Sequence, residues 1–187
     1  RLSASRGYET DSSKRLMRYS VIVSDAVFLL PAAYAVARAW HASERERTRT
    51  QSAKTARGGG ERGDAARVAW AFATFATSPA QILIDHGHFQ YNGISLGLTM
   101  YAVAAVLSDR DVLGSILFAC ALNYKQMSAY FAPAFFAHLL GKCLSQRRNP
   151  ARSARFAAVA KLGVAVVGTF AIAWAPFFLT VDPKTNE

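Results

Sequence analysis

The sequence predicts an all-α protein, a multi-pass transmembrane bundle of about six helices. Of its 187 residues 52% are hydrophobic, the mean hydropathy is +0.12 and the formal charge is +10. This chain is too apolar for a soluble nucleic-acid-binding protein and too basic for an ordinary soluble domain. Most basic residues gather in segments 38–67 and 142–155, whereas the long apolar stretches carry almost none. Such a distribution is typical of charged loops between membrane helices.

Six apolar segments supply the predicted helices, at residues 19–39, 68–84, 94–107, 112–122, 128–140 and 156–179. The first has about the 20 residues that cross a bilayer. We expect its Asp25 to face the bundle interior and its Pro31 to kink the helix. The third, fourth and fifth segments are short, so they form either a buried soluble core or membrane helices that extend through neighbouring polar motifs. The charged loops favour the second interpretation.

The whole chain, 1–187, is predicted to be part of a single multi-pass membrane domain. Residues 1–18 are expected to form a lead-in to the first membrane helix. Residues 40–67 are expected to form a flexible cytosolic loop, because they contain charged and glycine runs without apolar periodicity. The chain begins without methionine and shows no signal peptide, so we expect an internal fragment of a longer polytopic protein.

The loop charges also predict an orientation in the membrane. With six alternating spans, the loops at 38–67, 108–111 and 141–155 share one side, which the positive-inside rule makes cytosolic. The polar segments 85–93 and 123–127 then share the opposite side, where the internal loops hold a single cation, Lys125. The basic residues at 14, 15 and 18 depart from this rule.

The polar segments are the candidate functional residues. The stretch 85–92 packs a carboxylate, two imidazoles, amides and a phenol between hydrophobic segments. The compact ammonium of Lys125 suits a phosphate, and the surrounding polar side chains suit sugar hydroxyls. One alternative is a metal site formed by Asp85, His86 and His88, and another is interfacial histidines without chemistry. Two histidines at i and i+2 do not face one ion from a helix, so no metal is assigned.

Three groups of motifs resemble a known family: Ser5–Glu9, Asp85–Asn92 with Ser95–Gly97, and Asn123–Met127 with Leu139–Lys142. They are similar to the endoplasmic-reticulum glucosyltransferases that use dolichyl phosphate glucose. The resemblance covers nearly the whole chain, apart from an enlarged loop at 38–67. Gly87 and the lysine motif resemble the enzyme that adds the first glucose to the lipid-linked oligosaccharide. Tyr130–Pro133 resembles the second-glucose enzyme, which stays as an alternative.

The resemblance implies a GT-C-like fold in the endoplasmic reticulum membrane, with the active site facing the lumen and residues 1–18 on the lumenal side. It also implies inverting transfer of glucose from dolichyl phosphate glucose to a mannose of the dolichyl-diphosphate oligosaccharide, without cofactor, metal or nucleic acid. The family's catalytic carboxylate precedes the Ser-Arg-Gly-Tyr motif. The catalytic residue is therefore unassigned and is expected upstream of Arg1.

Only donor-side roles are carried over from the family. Lys125 and His88 are placed near the phosphate by this resemblance. The other positions lining the donor site are Gln90, Tyr91, Asn92, Gln126 and Arg6. A hypothesis from another class is a membrane transporter fragment in which Asp25, Asp85 and Lys125 form an ion path. Internal repeats would favour a transporter, and the sequence shows none.

The predicted orientation is testable with single cysteines at Ser52 and Gly87, after alanine has replaced the native Cys120 and Cys143. In sealed microsomes an impermeant maleimide should label Ser52→Cys from outside and Gly87→Cys only after permeabilisation, because loop charge places the two positions on opposite sides. Labelling of position 87 in intact microsomes would contradict this topology.

Overall fold

A computed structural model describes residues 10–51, 61–79, 82–86, 90–145, 148 and 151–179. Throughout these ranges the regular structure is helical and contains no strand, which confirms the predicted all-α class. Helix α1 covers residues 11–51, followed by five further helices: α2 Glu61–Ala76, α3 Asn92–Leu107, α4 Asp111–Tyr124, α5 Ala132–Leu144 and α6 Arg152–Leu179. A π-helical turn, Ile82–His86, precedes α3, and a 3-10 turn, Gln126–Phe131, follows α4.

Helix α1 is longer than its apolar segment. It begins at a Thr10 cap whose hydroxyl accepts a hydrogen bond from the Ser13 amide at 3.2 Å. The described parts of the expected flexible loop, 40–51 and 61–67, are helical, whereas 52–60 lie outside the described residues. Alanine, glutamate and arginine are strong helix formers, which explains why this segment is helical although it has no apolar periodicity. Asp64 of α2 also pairs with Arg45 of α1 at 2.6 Å. The cytosolic location of this segment stays a prediction.

A π-helical turn, Asp25–Leu29, lies within α1 just before Pro31. Proline donates no amide hydrogen, and its ring crowds the carbonyl four residues earlier. The wider turn accommodates Pro31 where the sequence predicted a kink, and α1 continues beyond it. As expected, Asp25 is buried, with 6% of its surface exposed.

Helix α3 packs closely against this π turn. A Cβ atom added at Gly97 would lie 2.8 Å from the carbonyl oxygen of Phe28. The backbones of α1 and α3 are therefore in close contact at this crossing. Small residues permit such close approach, as they do between membrane helices. A short turn joins α3 to α4, and within it Asp109 has a φ of 59° while the Arg110 amide bonds to the Ala105 carbonyl at 2.8 Å.

A charged cluster closes the α3–α4 turn. Lys142 of α5 donates to the Val106 carbonyl at 3.2 Å and to Asp109 at 3.1 Å, and it also pairs with Asp111. The hydrogen bonds from Arg148 and Lys142 lower the pKa of Asp109 below its ordinary value of 3.8. Because the pKa of Asp109 is lower in the folded protein than in the unfolded chain, its ionised carboxylate stabilises the fold at pH values above the unfolded pKa. This stabilisation is lost as the pH falls through the folded pKa.

Two of the described helices, α1 and α6, are long and apolar enough to cross a membrane. The shorter apolar helices α3 and α4 pack between them and α5. Trp174 of α6 donates to Asn123 of α4 at 2.9 Å, and Phe118 of α4 stacks on Phe135 of α5 at 4.0 Å. The outer face of α6 is open, since none of its residues is buried within the described part of the chain. A helical membrane bundle is consistent with this arrangement.

The close crossing predicts that Gly97→Ala destabilises the purified full-length protein. The added methyl group would overlap the Phe28 carbonyl, and overpacking of this kind typically costs about 1–3 kcal/mol. Gly168→Ala is the matched control, since a Cβ there meets nothing within 4 Å. Thermal unfolding in detergent should therefore show a lower midpoint for position 97 alone. Equal midpoints for the two variants would contradict the backbone contact.

Candidate active site at the start of helix α3

The site is built around Asp85, which lies in the π turn before α3 and is 0% exposed. Its Oδ1 accepts a hydrogen bond from Asn92 Nδ2, and its Oδ2 accepts one from the Gly93 amide, both at 2.7 Å. The first amides of a helix have no partner within the helix, and its N-terminus carries partial positive charge. Asp85 therefore caps α3 from outside and complements the helix dipole.

Gly93 allows a second carboxylate to approach the same helix end. A Cβ atom at this position would lie 1.9 Å from Asp25 Oδ1 and 3.5 Å from Asp85 Oδ2. Any larger residue would displace the carboxylate that the π turn of α1 presents. The start of α3 thus meets two buried acids, Asp25 from the π turn within α1 and Asp85 from the π turn Ile82–His86.

Asn92 links this buried acid to a cation. Its Nδ2 donates to Asp85 and, at 3.0 Å, to Gln90 Oε1, so both of its amide hydrogens are used. Its Oδ1 accepts a hydrogen bond from Lys125 Nζ. The carboxylate on one side and the ammonium on the other fix the orientation of the amide. Asp85 therefore positions Lys125 through Asn92 without touching it.

Lys125 follows the last residue of α4 and has an extended backbone, with φ −151° and ψ 127°. An ammonium has three donors, and the acceptor it finds here, Asn92 Oδ1, is a neutral amide. Across the described part of the chain no carboxylate lies within ion-pair distance of Lys125. The side chain is only partly buried. Its charge is thus positioned but not neutralised, an arrangement that suits an anionic ligand.

A cluster of buried hydroxyls holds the turn after Lys125 against α3. Ser128 Oγ lies 2.7 Å from Ser95 Oγ and 3.1 Å from Thr99 Oγ1, and Ser95 also donates to the Ala121 carbonyl at 3.3 Å. Hydrogen bonds between small polar residues commonly join membrane helices. Sequence reasoning missed Thr99 and Ser128 as supporting residues. The available signal was the presence of isolated hydroxyls in otherwise apolar segments.

The structure brings Gln90, Asn92 and Lys125 together, as the two polar motifs predicted. Tyr91 lies beside them and is 39% exposed, with its hydroxyl 2.7 Å from Ser20 Oγ of α1. Gln126 is exposed at the start of the 3-10 turn, directly after Lys125. The site therefore combines one cation with amide and phenol groups that are accessible to solvent.

Two predicted site residues, Arg6 and His88, lie outside the described residues. The side chain of His86 does as well, so the metal alternative depends on groups that the structure does not describe. Asn123, which belongs to the same sequence motif as Lys125, serves a different purpose. Its amide donates to the Ala119 carbonyl at 2.8 Å and accepts from Trp174, which ties α4 to α6.

Comparison with known proteins gives matches along nearly the whole chain. A probable dolichyl pyrophosphate Man9GlcNAc2 alpha-1,3-glucosyltransferase of Arabidopsis thaliana is 49% identical over 97% of this chain and 30% of its own length. The protein of that name from Dictyostelium discoideum is 37% identical over 94% of the chain and 30% of its own length. The dolichyl pyrophosphate Man9GlcNAc2 alpha-1,3-glucosyltransferase of Gallus gallus is 36% identical over 97% of the chain and 31% of its own length.

The matched length of 94–97% of the chain is nearly the whole of it. The chain spans about 30% of the length of these curated relatives. Residues 1–186 match the family described as the ALG6, ALG8 glycosyltransferase family, and the chain belongs to that family.

Proposed function

We propose that this chain forms the donor-binding part of a GT-C-type membrane enzyme. The enzyme transfers glucose from dolichyl phosphate glucose to a mannose of the dolichyl-diphosphate-linked high-mannose oligosaccharide, as the first alpha-1,3-linked glucose. Membership of the glycosyltransferase family and the names of the relatives support this reaction. The structural observation that carries it is the ammonium of Lys125, oriented by a neutral amide.

The mechanism follows from the charge that the leaving group gains. As the glycosidic bond breaks, the dolichyl phosphate becomes more negative. A fixed ammonium in a partly dehydrated recess stabilises this charge more than it would in water, and it needs no reorganisation during the reaction. In this proposal Lys125 holds the phosphate, while the exposed Gln90, Tyr91 and Gln126 supply hydrogen bonds to the sugar.

Asp85 does not suit the role of general base. It is buried, and both of its oxygens already accept hydrogen bonds from groups that start α3. A base must come within hydrogen-bond reach of the acceptor hydroxyl. We therefore assign Asp85 a positioning role and do not assign it as the base.

We further propose that the enzyme lies in the endoplasmic reticulum membrane with Lys125 facing the lumen. The distribution of basic residues supports this orientation, because the segments 38–67 and 142–155 fall on the side opposite to Lys125. The relatives' names specify a Man9GlcNAc2 acceptor, which favours the first-glucose enzyme over the second-glucose enzyme.

Lys125→Ala in the full-length enzyme should lower turnover by roughly two to three decades, because removal of one such stabilising donor typically costs about 2.7–4 kcal/mol. Lys125→Arg should recover only part of the activity, since a planar guanidinium is wider than an ammonium. The measurement is transfer from dolichyl phosphate glucose to lipid-linked oligosaccharides that carry either no glucose or one glucose. Activity on the first acceptor alone identifies the first-glucose enzyme.

Lys161→Ala is the control for this experiment, because Lys161 is an exposed lysine on α6. It should leave transfer unchanged. If Lys125→Ala stays within about threefold of wild type at normal expression, the lysine is only a residue that snorkels to the interface, and the phosphate role is wrong.

The positioning role of Asp85 predicts non-additive effects on transfer. Asp85→Asn replaces one acceptor oxygen by a donor group, which then faces the donor of either Asn92 or Gly93, so the support of Lys125 through Asn92 is weakened. Turnover of the single variant should fall, by less than for Lys125→Ala. The double variant should match Lys125→Ala alone, because the same interaction is removed twice. If the reduction in turnover of the double variant equalled the product of the two single reductions, Asp85 would act independently of Lys125.

A further inference from the structure

An open cleft lies between α1 and the α3–α4 hairpin, at the end of the hairpin away from Lys125. Its volume is about 430 Å³. Arg38 of α1 and Arg110 of the hairpin turn both line it and are both exposed to solvent. The cleft contacts the chain from Tyr101 to Ser108, which at 1.5 Å per residue lies about 14 to 24 Å along α3 from its start at Asn92. It is therefore separate from the proposed donor site.

The cleft carries positive charge that its own lining does not balance. Among the described residues no carboxylate lines it. The acids that flank Arg110 in sequence are engaged elsewhere, because Asp109 pairs with Lys142 and Arg148, and Asp111 pairs with Lys142. Arg38 contacts the ring of Tyr34, 5.9 Å from its centroid, which leaves its N–H donors available. Two arginines thus line one cleft to which the described residues contribute no carboxylate.

Apart from Ser108, the other residues that line the cleft are largely apolar. They are alanines of α1 and α3 together with Tyr101, Leu113 and Leu117. A soluble anion such as inorganic phosphate would satisfy the arginines but would leave this apolar surface uncovered. An amphipathic anion would satisfy both parts, since burial of hydrocarbon adds to the charge attraction.

We propose that the cleft binds an anionic phospholipid. The headgroup phosphate lies between Arg38 and Arg110, whose planar forks match phosphate oxygens, and one acyl chain follows Tyr101 and Leu113. Basic pockets between transmembrane helices on the cytoplasmic side recognise anionic headgroups in this way. The proposal does not rest on the transfer reaction, and it adds a lipid contact on the side opposite to the donor site.

The test is a lipid titration of the purified full-length protein, followed by native mass spectrometry. Dioleoyl phosphatidic acid is the probe, and dioleoyl phosphatidylcholine is the zwitterionic comparison. The double variant Arg38→Gln, Arg110→Gln should weaken phosphatidic acid binding by roughly tenfold to thirtyfold, because each basic residue contributes about fivefold. The variant with lysine at both positions keeps the charge and should retain most of the binding.

The matched control is the double variant Arg49→Gln, Arg67→Gln, which removes the same charge from exposed arginines outside this cleft. It should change binding by less than twofold. If both double variants lost the same amount of phosphatidic acid binding, the effect would come from general surface charge. That result would contradict a specific site in the cleft. Phosphatidylcholine binding as tight as phosphatidic acid binding would overturn the headgroup assignment. Displacement of the lipid by an equal concentration of glycerol 3-phosphate would assign the cleft to a soluble phosphate instead.

Discussion

The hydrogen bonds from the start of α3 to the buried carboxylate of Asp85 are the constraint on which the site depends. The first amides of a helix need acceptors, and in an apolar bundle water does not supply them. Asp85 meets this need from seven residues upstream, and the lack of a side chain at Gly93 leaves room for Asp25 at the same helix end. Once the carboxylate is in place, the amide of Asn92 has one favourable orientation, and Lys125 is positioned in turn.

The amide between Asp85 and Lys125 separates two tasks that a direct ion pair would combine. A buried carboxylate in contact with the ammonium would position it, but it would also neutralise the charge that a phosphate needs. Through Asn92 the acid fixes the lysine geometry while the lysine keeps its net charge. The buried hydroxyls of Ser95, Thr99 and Ser128 hold the adjoining turn in the same rigid frame.

The helical class and the convergence of the two polar motifs were predictable from the sequence, because apolar segment lengths and loop charges depend on composition alone. The role of Asp85 as an external helix cap was not predictable, since it requires the π turn Ile82–His86 to present the carboxylate to Gly93. The length of α1 was underestimated because hydropathy ends at residue 39, whereas helix propensity and the Arg45–Asp64 pair extend the helix. Arg6 and His88 lie outside the described residues, so their roles stay predictions.

The π turn in α1 has a consequence for insertions and deletions. Such a turn absorbs one extra residue, so the buried Val21 before it and Ala33 after it share a face of the helix. Loss of one residue between Asp25 and Leu29 would restore ordinary α-helix and keep the buried faces of both halves aligned. The same loss elsewhere in α1 would rotate the following half by about 100° and turn its charged side toward the neighbouring helices. Variation in the length of helix α1 is therefore compatible with the fold at this turn, and not elsewhere along its buried face.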